Sequence, residues 1–93
     1  MKITLELIKA VWEKAKTVSG HSTYIWRKDP CNAWIKRSEY GNHETIYGWE
    51  IDHIIPPEKG GSNRIDNLQP LQWNNKASKS SGQLVCLVSS KEV

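Results

Sequence analysis

No phenylalanine occurs among the 93 residues, and methionine appears once. A core must therefore be built from aliphatic residues together with five Trp and three Tyr, rings that bring a large apolar area and a polar atom needing a partner when buried. Trp12, Trp26, Trp34, Trp49 and Trp73 are expected to pack rather than bind, although one exposed Trp near a site would stack on a base. Cysteine is equally scarce. Cys31 and Cys86 form no CxxC pair, their spacing leaves open whether they join, and a plain buried thiol is expected at Cys31. Lacking a four-ligand Cys/His set, the chain is expected to hold no structural zinc. No run of about 18 apolar residues is available to cross a bilayer. The charged segment after Met1 lacks the apolar stretch of a signal peptide, so the expectation is a soluble, cytoplasmic protein with no membrane partner.

What is present describes a folded chain. Hydrophobic residues make up 38% and charged residues 25%, far from the composition of disorder. The net charge of +3 only mildly favours a polyanionic partner. Leu5, Ile8, Val11, Trp12 and Ala15 recur at helical spacing and predict an amphipathic helix from Leu5 to Val18, with Thr4 as N-cap, Gly20 as stop and the lysines on a solvated face. Tyr24-Ile25-Trp26 and Ala33-Trp34-Ile35 flank the breaker Asp29-Pro30 and read as a hairpin. That hairpin would gather Arg27, Lys28, Lys36 and Arg37 among aromatics, a candidate phosphate-facing surface. A strand over Trp49 to Ile55 is stopped by Pro56-Pro57, and a turn-rich loop through Gly60-Gly61 follows. A return strand over Asn67 to Gln72, a short helix over Trp73 to Ser80 and a strand or extended packing segment over Leu84 to Val88 complete the chain. With no repeat or linker, residues 1–93 read as one α+β domain with short flanking strands.

The middle of the chain holds a set that packing alone does not require. Glu50-Ile51-Asp52-His53-Ile54-Ile55-Pro56 is followed by Gly60-Gly61-Ser62-Asn63, by Asp66-Asn67-Leu68-Gln69-Pro70-Leu71, and then by Asn74-Asn75 and Lys79. Over about residues 48–80 this order resembles the HNH endonuclease family. The resemblance implies a ββα-metal (His-Me finger) core gripping one divalent cation, Mg²⁺ or Mn²⁺, and hydrolysis of DNA phosphodiesters. The zinc-supporting CxxC pairs of some members are absent.

The chemistry of the residues points the same way. Phosphodiester hydrolysis needs a deprotonated water, positive charge at the developing phosphorane and help for the leaving oxygen. A histidine suits proton removal at neutral pH, which makes His53 the candidate general base and Asp52 the first candidate metal ligand. By the resemblance, Asn67 braces the loop between the strands. Counting back from Lys79, the family's last ligand falls on Lys76, and a protonated lysine cannot coordinate a metal. Two alternatives remain: Asn75 reaches the cation through a shifted helix register, the reading preferred here, or Lys76 serves as a cation beside the phosphate. Lys76, Lys79, Arg27, Lys36 and Arg37 are the candidate nucleic-acid contacts, and His43 is expected to be an exposed loop residue. Two other functions compete with an endonuclease. One is a non-catalytic DNA-binding module on the same fold, and the other a structural, immunity-like protein holding a protein partner. No reader of base edges is recognisable, so relaxed sequence preference is expected.

Overall fold

The structure is a computed structural model that describes residues 1–90. Helix α1 spans Leu5–Trp12, its first turn closed by Thr4 Oγ1, which accepts from the Leu7 amide at 3.1 Å. It stops earlier than its apolar spacing predicts, because the backbone of Lys16 is claimed by Lys28 through two hydrogen bonds of 2.9 and 2.8 Å. The apolar stripe is also only partly used: Val11 and Trp12 are buried, whereas Leu5 is 82% exposed. Lys14 is not merely solvated, since its ammonium donates to the carbonyls of Ile65 (2.7 Å) and Leu68.

Strands β1 (Trp26–Lys28) and β2 (Trp34–Lys36) form the expected antiparallel hairpin, pairing Trp26 with Lys36, Arg27 with Ile35 and Lys28 with Trp34. Period-two alternation sends Ile35 into the core and places Trp26, Lys28, Trp34 and Lys36 on the opposite face, where Lys28 is itself buried and the other three are half-buried. Arg27, read from sequence as a phosphate contact, lies on the inner side. Its guanidinium covers the Trp12 ring and donates to the carbonyls of Thr23, Glu13 and Ala15, so its donors serve the chain leaving α1.

The hairpin turn is organised by Asp29, which is fully buried. Its Oδ1 accepts from the amides of Cys31 and Ala33, both at 2.9 Å, and its Oδ2 accepts from the Gln72 amide at 2.9 Å and from Asn75 Nδ2 at 3.2 Å. One carboxylate thus joins the turn to a segment more than forty residues away.

Strands β3 (Trp49–His53) and β4 (Leu68–Gln72) form a second antiparallel pair, with Asp52 opposite Gln69 and His53 opposite Leu68. Pro70 is tolerated in β4 because a two-stranded sheet has only edges. Helix α2 (Trp73–Ala77) follows directly, its first amides satisfied by Gln72 Oε1, which accepts from Asn74 at 2.8 Å and Asn75 at 3.1 Å. Alternate residues of β3 face opposite ways. Trp49 and Ile51 join Val11, Trp12, Ile35 and Leu68 in the core, with Trp12 and Trp49 tilted at 5.4 Å. Glu50 and Asp52 face the lysines of the α2 segment. Of the five tryptophans Trp12 and Trp49 are buried, while Trp26, Trp34 and Trp73 are half-buried and pack against other rings.

The segment 84–88 forms no strand and leaves Leu84, Val85 and Leu87 exposed. It is nevertheless tied down. Val88 exchanges hydrogen bonds with the Asn75 amide, Ser90 with Asn32, and Cys86 is disulfide-bonded to Cys31 with a Cα separation of 5.4 Å. The free thiol expected at Cys31 is therefore replaced by a crosslink. Among the described residues no helix is long and apolar enough to cross a membrane.

Removing the Asp29 carboxylate leaves four donors unpaired in the interior. Asp29→Ala is expected to cost about 3–5 kcal/mol, the scale of a broken buried polar network, read as a lower urea midpoint with an unchanged m-value. A midpoint within error of wild type would show that the hairpin turn holds without it.

Candidate active site

His53 is the last residue of β3, placed where the ladder gives way to the loop. The loop is fixed by Asn67, whose Oδ1 accepts from the Ile55 amide at 2.9 Å and whose Nδ2 donates to the carbonyls of Ile55 (3.0 Å) and Ser62 (2.7 Å). Gly61 is required for this closure: a Cβ there would lie 1.7 Å from the Ile55 carbonyl oxygen and 2.9 Å from Asn67 Nδ2. Gly60 supplies the left-handed turn before it, at φ 89°. The same loop carries Asn63, whose Oδ1 lies 2.8 Å from His53 Nε2. An amide oxygen only accepts, so in the neutral ring Nε2 carries the proton and Nδ1 keeps its lone pair.

Asp52 is 5% exposed and shares a shallow cleft with His53, Pro56, Glu58, Lys76 and Lys79. Its Oδ2 accepts from Lys79 Nζ at 2.6 Å and from Gln69 Nε2, across the ladder, at 3.0 Å. Lys79 also donates to the His53 carbonyl, which fixes the end of the strand. All side-chain hydrogen bonds of Asp52 thus fall on one oxygen. Oδ1 carries no hydrogen bond among the described residues.

A second polar row lies alongside. Glu50, two residues before Asp52 on the same face of β3, meets Lys76 at 3.7 Å and His43 Nε2 at 2.8 Å, while His43 stacks on Trp73 with ring centroids 4.7 Å apart. Burial, and after it the Glu50 charge, raise the Tyr40 phenol above its ordinary value. Glu50, Asn63, Gln69 and His43 were not assigned to the site from sequence. Strand alternation from Asp52 points to Glu50, and the ladder register sets Gln69 opposite Asp52; Asn63 and His43 depend on how the loops close.

Helix α2 places Asn75 and Lys76 in different surroundings. Asn75 is fully buried and its amide is consumed, Oδ1 by the Val88 amide at 2.8 Å and Nδ2 by Asp29 and the Val88 carbonyl. Its polar atoms are thereby committed to Asp29 and Val88, and it is not among the residues lining the cleft. Lys76 is the residue that lines the cleft with Asp52 and His53. Of the hairpin residues, Lys36 and Arg37 lie apart from the cleft lining, against the rings of Trp26 and Tyr24.

Residues 36–79, which include the whole of this loop and helix, match the family described as HNH endonuclease. Over that segment the chain is similar to HNH endonuclease domains. No curated protein and no solved structure matches the chain. The small mixed architecture of short strands and two helices agrees with the HNH assignment, which implies a nuclease or DNA-binding role and DNA as the partner.

HNH domains commonly use a divalent metal, and the donors here admit one narrowly. Among the described residues no three His, Cys, Asp or Glu side chains group to hold an ion. Asp52 Oδ1 is a hard oxygen donor without a hydrogen-bond partner, on a carboxylate held in orientation by Lys79 and Gln69 through Oδ2. A single carboxylate completed by water and substrate phosphate is a workable site for Mg²⁺. Lys76 removes a second ligand and adds a like charge.

Two substitutions follow from this placement. Lys76→Asn is expected to tighten Mn²⁺ binding at least about tenfold by calorimetry. A unit charge at about 4 Å contributes several kcal/mol even at an effective dielectric of about 20. Asn75→Ala is expected to leave Mn²⁺ affinity unchanged while lowering stability by about 2–3 kcal/mol. Lost Mn²⁺ binding at full stability in Asn75→Ala would return that residue to the ligand set.

Proposed function

We propose that the chain is a metal-dependent endonuclease acting on DNA, built on a ββα-metal core with α1 packed behind it. The observation that carries this reading is the His53 ring lining the cleft that contains Asp52, with Nε2 held by Asn63 so that Nδ1 keeps its lone pair. His53 takes the proton from the attacking water through Nδ1, and the Asn63 oxygen stabilises the imidazolium that results. Asn67 braces the loop that carries Asn63, through Ile55 and Ser62. Asp52 would hold Mg²⁺ or Mn²⁺ through Oδ1. The cation, when bound, supplies positive charge to the phosphate oxygens and to the departing 3′ oxygen. Lys76, 40% exposed and only loosely paired with Glu50, is free to swing toward a non-bridging phosphate oxygen, whereas Lys79 stays on Asp52 as a positioning residue.

A second reading, DNA binding without cutting, is favoured by one observation: a lysine stands where a second ligand would be. As to location, the Cys31–Cys86 crosslink favours an oxidising compartment over the cytoplasmic default.

Supercoiled plasmid separates the two functions. Wild-type protein is expected to nick it with Mg²⁺ or Mn²⁺ and not with EDTA. His53→Ala is expected to lose about 10²- to 10⁴-fold in rate at an unchanged thermal midpoint. Retained DNA binding with no cutting under either metal would establish the binding module instead.

A further inference from the structure

The outer face of the β1–β2 hairpin is not explained by the cleavage centre. Across the ladder each tryptophan stands opposite a lysine, Trp26 with Lys36 and Trp34 with Lys28. In both pairs the ammonium lies over the indole, at 5.5 Å for Lys36 and 4.8 Å for Lys28. The rings continue past the strands. Tyr47 meets Trp26 edge-on at 5.0 Å and 86°, Trp34 meets it at 5.9 Å and 79°, and Arg37 covers Tyr24 at 3.8 Å. Trp26 is the shared wall of two clefts, one also lined by Trp34 and Tyr47, the other by Tyr24, Lys36 and Arg37.

Three features distinguish this surface from ordinary hairpin packing. Tyr24 is 66% and Tyr47 39% exposed, so these rings present apolar faces to water rather than to the core. Edge-to-face contacts seal less ring surface than a parallel stack does. No carboxylate lines either cleft among the described residues, while Lys36 and Arg37 border one of them, so the charge is of one sign. Ring faces interleaved with cations and free of acidic groups are the combination that holds a nucleic-acid strand through base stacking and phosphate neutralisation. A duplex does not offer it the faces of its bases, which already stack on one another.

We infer that this Trp/Lys face binds single-stranded nucleic acid, with unpaired bases stacked at Trp26 and Tyr47 and phosphates neutralised by Lys36 and Arg37. The inference rests on the nucleic-acid reading of the HNH domain and adds to it a preferred substrate class, DNA with locally unpaired bases.

Its test reads binding rather than cutting, in the His53→Ala chain so that hydrolysis does not intervene. The probes are a fluorescein-labelled oligothymidylate of about twelve nucleotides, the corresponding duplex, and an abasic strand of the same length. The oligothymidylate is expected to bind more tightly than the other two and to quench tryptophan fluorescence. Trp26→Leu and Tyr47→Leu are each expected to weaken it about 5- to 150-fold, the range for one stacked base. Lys36→Gln is expected to reduce the salt slope by about 0.7. Equal affinity for the abasic strand, or wild-type affinity in Tyr47→Leu, overturns the inference; the exposed Tyr47 decides the matter even if Trp26→Leu does not fold. Plasmid cutting by the wild-type chain with no such base dependence removes this surface and leaves the proposed reaction standing. Absent cutting with intact base dependence does the reverse.

Discussion

A single buried carboxylate decides which residues of α2 reach the chemistry. Asp29 gathers two amides of its own turn, the Gln72 amide at the start of α2 and the Asn75 side chain. Those bonds fix the rotation of the helix. Successive helical residues are turned by about 100°, and residues three apart return to nearly the same face. With Asn75 held toward Asp29 and Val88, Lys76 is carried round to the strand face, and Lys79 comes back beside it one turn on. The lysine row opposite Glu50 and Asp52 is therefore a consequence of a hydrogen bond formed on the far side of the helix. A shifted helix register would have to break that bond and leave a buried carboxylate short of a donor.

How far the site was readable from sequence follows the range of the interactions involved. Asp52-His53 before a double proline, two glycines, and an asparagine opening the return strand are local features. Each is satisfied within the twelve or so residues that Asn67 spans to Ile55, and strand alternation alone separates Glu50 and Asp52 from Trp49 and Ile51. The helix N-cap at Thr4 and the hairpin about Asp29-Pro30 were legible for the same reason. What escaped depends on partners far along the chain. Asp29 reads as a turn residue until Gln72 and Asn75 arrive 43 and 46 positions later. Arg27 looks like one more surface cation until the end of α1 offers it carbonyls. The length of α1 is set by Lys28 taking Lys16 into a bridge, a competition that apolar periodicity does not register.

The electrostatics of the site are close to balanced, and unevenly so. Asp52 and Lys79 are almost sealed from water, at 7% and 10% side-chain exposure, whereas Glu50 and Lys76 remain partly wet at 28% and 40%. The inner pair is the one whose separation is costly; the outer pair is screened and readily exchanged. A polyanion approaching the cleft thus meets one lysine that is committed and one that is available. His43, leaning on Glu50 and stacked on Trp73, extends this row toward the loop preceding β3.

The bond between Cys31 and Cys86 has a topological consequence. It closes a covalent ring that contains both strands of the second sheet, both loops of the cleft, α2 and the entire matched segment 36–79. Outside the ring lie α1, β1 and the last residues of the chain. A single break of the polypeptide anywhere between the two cysteines, such as a protease makes in an exposed loop tip, would leave both fragments joined as one molecule. His53 on one side of the Gly60-Gly61 loop and Lys79 on the other would still be parts of one covalent body.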